Sequence, residues 1–242
     1  MPTVADIAKS LQARAKRRHR TARAYLARVT PGGVLPRAPR GAHDEHRQMI
    51  RPLPALLLFS DAKRLPDPLA ALDRLPRGSG VVFRHYRASG RAALARALVR
   101  KARARGIHVL VAGDARLAAR TRALGLHLPE ALLGAPLAFG PTKRLKFSIV
   151  TIAAHSLRTL FRAARLGADA AILGPVFPTA SHPGATPLGP LRFARFCRKS
   201  PIPVYAIGGV GPRTALRLKA SGAIGFAGIG AIRLPRGRRP GA

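Results

Sequence analysis

From residue 55 onward, short apolar runs alternate with amphipathic or alanine-rich stretches at a spacing of about 20 to 30 residues, the sequence form of repeated βα units. The runs occupy residues 55–59, 80–83, 107–112, 124–128, 147–152, 170–173, 203–207 and 224–229, and each predicts a strand. Helices are predicted between them at 91–105, 115–123, 156–166, 191–199 and 212–221. Gly167 and Gly222 follow two of these helices as left-handed stops, and Pro212 suits a first helical turn. Eight strands with intervening helices predict an α/β protein built as a single (β/α)8 TIM barrel over residues 51–233. A doubly wound sheet ranks second, because no strand is followed by G-x-G-x-x-G and no Walker lysine motif occurs.

Residues 1–50 differ from this pattern. They hold a basic stretch with helical propensity, 7–29, and a Pro/Gly-rich linker, 31–41, and read as a partly helical or disordered extension, disordered or loosely docked. Residues 234–242 read as a basic flexible tail. Charge adds a second layer: 44 Lys plus Arg face 9 Asp plus Glu, a net charge of +35. Only +8 of it lies in residues 1–50, so the excess is not confined to a tail. Weak nonspecific nucleic-acid binding through the basic extension is one reading. The arginines at Arg91, Arg96, Arg100, Arg103 and Arg105 recur in an alanine-rich helix, where a solvated face explains them as well as a binding patch does. No apolar run has the length of a membrane span, and a single cysteine, Cys197, excludes an intramolecular disulfide framework. Both features lead us to expect a soluble protein of the reducing cytoplasm, with homo-oligomerisation left open.

In a barrel of this kind the chemistry gathers at the C-terminal ends of the strands, and phosphate often binds the loops after strands seven and eight. The chain carries Ile207-Gly208-Gly209-Val210 in the first of these loops and Gly228-Ile229-Gly230-Ala231 in the second, a candidate backbone cradle for a phosphorylated small molecule. Glycines that merely permit tight turns would give the same pattern. The densest local signal is Leu173-Gly174-Pro175-Val176-Phe177-Pro178-Thr179, continuing through Ala180-Ser181-His182 to Leu188-Gly189, a candidate substrate loop. Asp61 stands just after the first strand, where it could cap the next helix or orient a substrate, with the cap favoured. His127 reads as a hydrogen-bonded core or rim histidine, and Tyr86 and Phe177 as aromatics that could flank a flat ring.

The substrate loop, Tyr205-Ala206-Ile207-Gly208-Gly209, and the His155-Ser156 and Gly167-Ala168-Asp169 stretches occur in an order that resembles the thiamine phosphate synthase and thiazole tautomerase family over residues 55–232. The resemblance implies coupling of a pyrimidine pyrophosphate to a thiazole phosphate, with release of pyrophosphate through a pyrimidine cation and with Mg²⁺ as cofactor. Arg84, the kept member of a Gln-x-Arg-x-Lys motif that reads Val82-Phe83-Arg84-His85-Tyr86 here, would meet the pyrophosphate. Asp114 would meet the metal, although Gly113 replaces its amide neighbour; a second metal aspartate is replaced by Leu132, with Glu130 nearby as a substitute carboxylate. His182 takes the place of a lysine near the leaving group, and Thr179, Gly208, Gly209, Gly228, Ile229 and Gly230 would hold the thiazole phosphate. His155 matches the proton-shuttling histidine of the tautomerase branch, which implies a metal-free thiazole tautomerase as the alternative, beside a barrel that binds a phosphorylated ligand without catalysis.

Overall fold

The computed structural model describes residues 2–13, 53–134, 147–181 and 183–229. Eight parallel strands close into a barrel in sequence order: β1 (Leu56–Phe59), β2 (Gly80–Phe83), β3 (His108–Ala112), β4 (Gly125–Leu128), β5 (Ile149–Ala154), β6 (Ala170–Leu173), β7 (Val204–Ile207) and β8 (Gly225–Gly228), with β8 pairing back onto β1. Such strands are covered on both faces, inward by one another and outward by helices, which is why each reads as a continuous apolar run. Alternation divides them. Leu57, Phe59, Val82, Leu110, Ile149, Ile172 and Tyr205 fill the barrel interior, while Leu56, Leu58, Val81, Phe83, Val109 and Val111 pack against the helical layer. Across the interior, the Tyr205 hydroxyl donates to the Pro54 carbonyl at 2.6 Å, so the one polar tip in that layer is satisfied locally.

The outer layer is thinner than the sequence pattern predicts. Helix α1 covers residues 4–13, followed by α2 (Pro68–Ala71), α3 (Arg91–Ala104), α4 (Ala115–Arg120), α5 (Leu157–Arg165), α6 (Gly189–Lys199) and α7 (Pro212–Leu216). The segment expected to be helical to residue 221 leaves the α-helix after Leu216, and β5 begins and ends two residues later than its apolar run suggests. Ala153 and Ala154 carry too little hydrophobicity to mark a strand, yet they pair with Ile172 and Leu173. Among the described residues no helix is long and apolar enough to cross a membrane.

The start of the extension is ordered against the barrel. Thr3 and Asp6 bond reciprocally to open α1, and Val4, Ile7, Ala8 and Leu11, on one face at helical spacing, are buried in the layer between helices and strands. The Gln12 side chain donates to the Leu53 carbonyl, which anchors the helix beside the N-terminal end of β1. The remainder of the extension, 14–50, and the basic tail, 234–242, lie outside the described residues, as do His182 and Gly230.

Candidate active site

A cavity of about 650 Å³ opens at the C-terminal ends of the strands. Its walls are made differently. On the β1–β2 side the lining is charged and aromatic: Phe59, Arg64, Arg84 and Tyr86. Ser60, at the end of β1, accepts the Arg84 N–H through its hydroxyl at 2.9 Å and the Arg84 Nε–H through its carbonyl at 3.2 Å. Asp61 receives Arg84 Nη2 at 3.2 Å and Arg64 Nη2 at 3.5 Å, and Arg84 lies over the Phe59 ring at 5.2 Å. Partial burial pushes the Asp61 carboxyl up, but the N–H groups of Arg64 and Lys63 and the Arg64 guanidinium outweigh it and hold Asp61 below the usual carboxylate range. The expected capping role of Asp61 is corrected here: Asp67 caps α2 instead, and Asp61 is the anchor of two guanidiniums. Arg64 also donates to Ser181 Oγ at 2.5 Å, so a residue after β1 reaches the loop after β6.

His127 lines the floor, fully enclosed, with Nδ1 3.0 Å from Thr151 Oγ1 and its ring edge-on to Phe59. Burial, reinforced by the Arg84 charge, pulls its pKa down to about 3, so the imidazole is neutral at ordinary pH. At the rim, His155 Nδ1 lies 2.5 Å from Glu130 Oε2, and Thr159 Oγ1 donates to Glu130 Oε1 at 2.5 Å. Ser156 caps α5 through the Thr159 N–H, so the cap and the rim histidine are adjacent residues with separate tasks. Phe177 is buried and takes no part in the lining, which leaves Tyr86 as the aromatic that faces the cavity of the two expected.

The β6–β8 side is backbone. Gly174, Gly208, Gly209, Gly228 and Ile229 line it, with Thr179 from the loop after β6. The Val176 and Phe177 N–H groups donate to the Ile207 and Gly208 carbonyls, which press the two loops together. Gly208 and Gly209 have φ of +91° and +62°, and a Cβ on either would sit 2.7 Å from Pro175 Cα or 2.5 Å from the Pro178 carbonyl oxygen. Both positions therefore require glycine for conformation and for space.

The expected metal residue is placed elsewhere. Asp114 does not line the cavity; its Oδ1 accepts the Leu117 N–H at 2.8 Å as the cap of α4, and its Oδ2 receives Arg91 Nη1 at 2.8 Å. Arg91 is seated by the Ala112 carbonyl and by the rings of Phe83 and Tyr86. Glu130, the substitute carboxylate, spends both oxygens on His155 and Thr159. Among the described residues no three His, Cys, Asp or Glu side chains converge. Magnesium commonly takes one or two carboxylates and completes its octahedron with water and substrate phosphates, and here both candidate carboxylates, Asp114 and Glu130, hold other partners.

The sequence pattern singled out Arg84, His155, Thr179, Gly208, Gly209, Gly228 and Ile229, and the structure brings all of them to one cavity. It did not single out Arg64; an acid three residues before a basic residue, Asp61 and Arg64, was the available local signal. A family model described as thiamine monophosphate synthase matches residues 69–232. A thiamine-phosphate synthase from Chlorobium luteolum is 34% identical over 187 residues, covering 74% of this chain and 85% of the relative. One from Anoxybacillus flavithermus is 31% identical over 176 residues, 69% of this chain and 79% of the relative. The fold is shared with a thiamine phosphate pyrophosphorylase from Pyrococcus furiosus, at a TM-score of 0.62 and 23% identity over 73% of this chain and 85% of that one. With two thirds of its length matched by the family model and its cavity at the strand ends, the chain belongs to the thiamine monophosphate synthase family.

Proposed function

We propose that the cavity joins a pyrimidine pyrophosphate to a thiazole phosphate, acting in the cytoplasm on phosphorylated small molecules. The observation that carries this reading is the opposition of a guanidinium wall, Arg64 and Arg84, to a glycine wall, Gly208, Gly209 and Gly228, across one cavity. In the reaction the bond between the pyrimidine methylene and its pyrophosphate oxygen breaks, and the thiazole nitrogen forms the new bond to that carbon. Negative charge grows on the departing pyrophosphate, and Arg84, fixed by Ser60 and Asp61, is aimed to stabilise it. The thiazole phosphate lies against the glycine loops, with the Thr179 hydroxyl beside it. The neutral His127 and the Phe59 ring form a floor that carries no charge to compete with the pyrimidine cation. A divalent cation bound with the pyrophosphate would neutralise part of its charge, with Asp114 or Glu130 as the nearby carboxylates, and no step is routed through it. Incubation of the purified chain with both substrates, with Mg²⁺ or with chelator, should yield thiamine phosphate and one pyrophosphate per turnover. Absence of product from protein that still binds thiazole phosphate would discard the reading.

A second reading rests on the short contact between His155 and Glu130. A carboxylate on Nδ1 fixes the imidazole's orientation and tautomer, as moving a proton between positions of a thiazole carboxylate requires. Deuterium uptake from solvent into that substrate, lost in His155→Gln, would select it over the synthase.

A further inference from the structure

The cations of α3 fall into two groups. Arg91 is paired with Asp114, while Lys101 and Arg105 share Asp73 at 2.9 and 3.4 Å. Arg96, Arg100 and Arg103 point the other way, into a groove of about 430 Å³ between α3 and α4 whose far side carries Arg120 and Arg122. All five are exposed, and among the described residues none has a carboxylate partner. Helix C-terminal dipoles offset part of the repulsion at Arg103 and Arg120, but Arg96 and Arg100 stand in mid-helix, one turn apart, where like charges destabilise the helix. Arg122 adds a second observation. It follows α4 with φ of 53°, the single left-handed non-glycine among the described residues, at a place where glycine normally ends a helix. The strained conformation carries a guanidinium to the groove, and the Arg122 carbonyl accepts Arg103 Nη2 at 3.3 Å. A second hollow of about 340 Å³ shares Arg103 and Arg122 and extends the track past Gly106 to Ser148.

We propose that this track binds the phosphodiester backbone of single-stranded nucleic acid without regard to base sequence. A cleft lined by one sign of charge concentrates the opposite charge, and guanidiniums bond phosphate oxygens in pairs. The groove's length, continued by the second hollow, suits a chain of phosphates better than a single one. None of the residues lining the groove is aromatic and five are arginines, so the contacts fall mainly to the phosphates of the backbone. The site is separate from the cavity at the strand ends, with which it shares no residue.

The test uses the full chain and a fluorescein-labelled 20-nucleotide uridine RNA, read by anisotropy across a salt series. Arg96→Gln, Arg100→Gln and Arg120→Gln together should weaken binding at least about 10-fold at low salt and reduce the log–log salt slope by about 2, three lost contacts on a single strand. Arg158→Gln, Arg165→Gln and Arg195→Gln, three exposed arginines of α5 and α6, remove the same charge elsewhere and should change affinity by no more than about twofold. Arg100→Gln alone, expected to fold as the parent does, should give an intermediate loss. Equal losses in both triple variants would overturn the proposal in favour of net charge alone, and so would displacement of the RNA by polyglutamate as readily as by unlabelled RNA.

Discussion

The two walls of the cavity recognise by different means. On the β6–β8 side the contacts are backbone, and two loops approach so closely that a single methyl group at Gly208 or Gly209 has no room. On the β1–β5 side they are side-chain ends, each held by a partner from elsewhere: Arg84 by Asp61, His155 by Glu130. A backbone wall is rigid and tolerates almost no substitution. A side-chain wall can change its chemistry by exchanging one partner, and just outside it the carboxylate expected to face a metal, Asp114, holds the Arg91 guanidinium.

The largest expected effect tests the rigid wall. Gly208→Ala should cost about 1–3 kcal/mol of stability from conformation alone, more from the clash with Pro175, and thiazole phosphate binding should fall with it. Thermal unfolding and calorimetry check this; an alanine variant as stable and as tight as the parent would break the comparison. Arg84→Met should then lower turnover by about 100-fold while leaving thiazole phosphate affinity within twofold, because the lost donor acts on the leaving group. Equal loss of both quantities would mean that the two walls are not separable.

The third effect is smaller and concerns partner exchange. Pyrophosphate binding to the parent protein should be the same with Mg²⁺ or with chelator, since Asp114 is bonded to Arg91. Arg91→Met frees Asp114 Oδ2 and should introduce a Mg²⁺ enhancement of a few-fold, readable by calorimetry without turnover. The last concerns the floor. His127 holds a proton in the unfolded chain below its ordinary pKa of 6.5 but not in the folded one until about 3, so its contribution to stability is complete above 6.5 and is lost as pH falls through that window. Unfolding free energies from denaturant titrations should fall with pH by up to about 1.4 kcal/mol per unit from this residue, and His127→Gln should flatten the slope.

Much of this is legible in the sequence. Eight apolar runs correspond to eight strands, and Gly208, Gly209, Gly228 and Ile229, singled out by the turns that hold them, line the cavity at the strand ends. The β5 boundary was not legible, because Ala153 and Ala154 join the strand through pairing with β6 and not through their own hydrophobicity. Nor was the task of Asp61, for which the local sequence favoured a cap. Arg91 read as one of many helix arginines, and nothing in its neighbourhood distinguishes it from Arg96.

Strand number, barrel order and the glycine turns follow from the sequence alone, because hydrophobic periodicity and the φ requirements of a turn act over a few residues. Which charge meets which was decided by the closed barrel. Asp61 and Arg84 are 23 residues apart, Arg91 and Asp114 also 23, and Glu130 and His155 25, in each case close to one βα unit. Only closure of neighbouring strands in register brings such side-chain ends within about 3 Å, where a charge-assisted hydrogen bond forms and fixes the chemistry of the site.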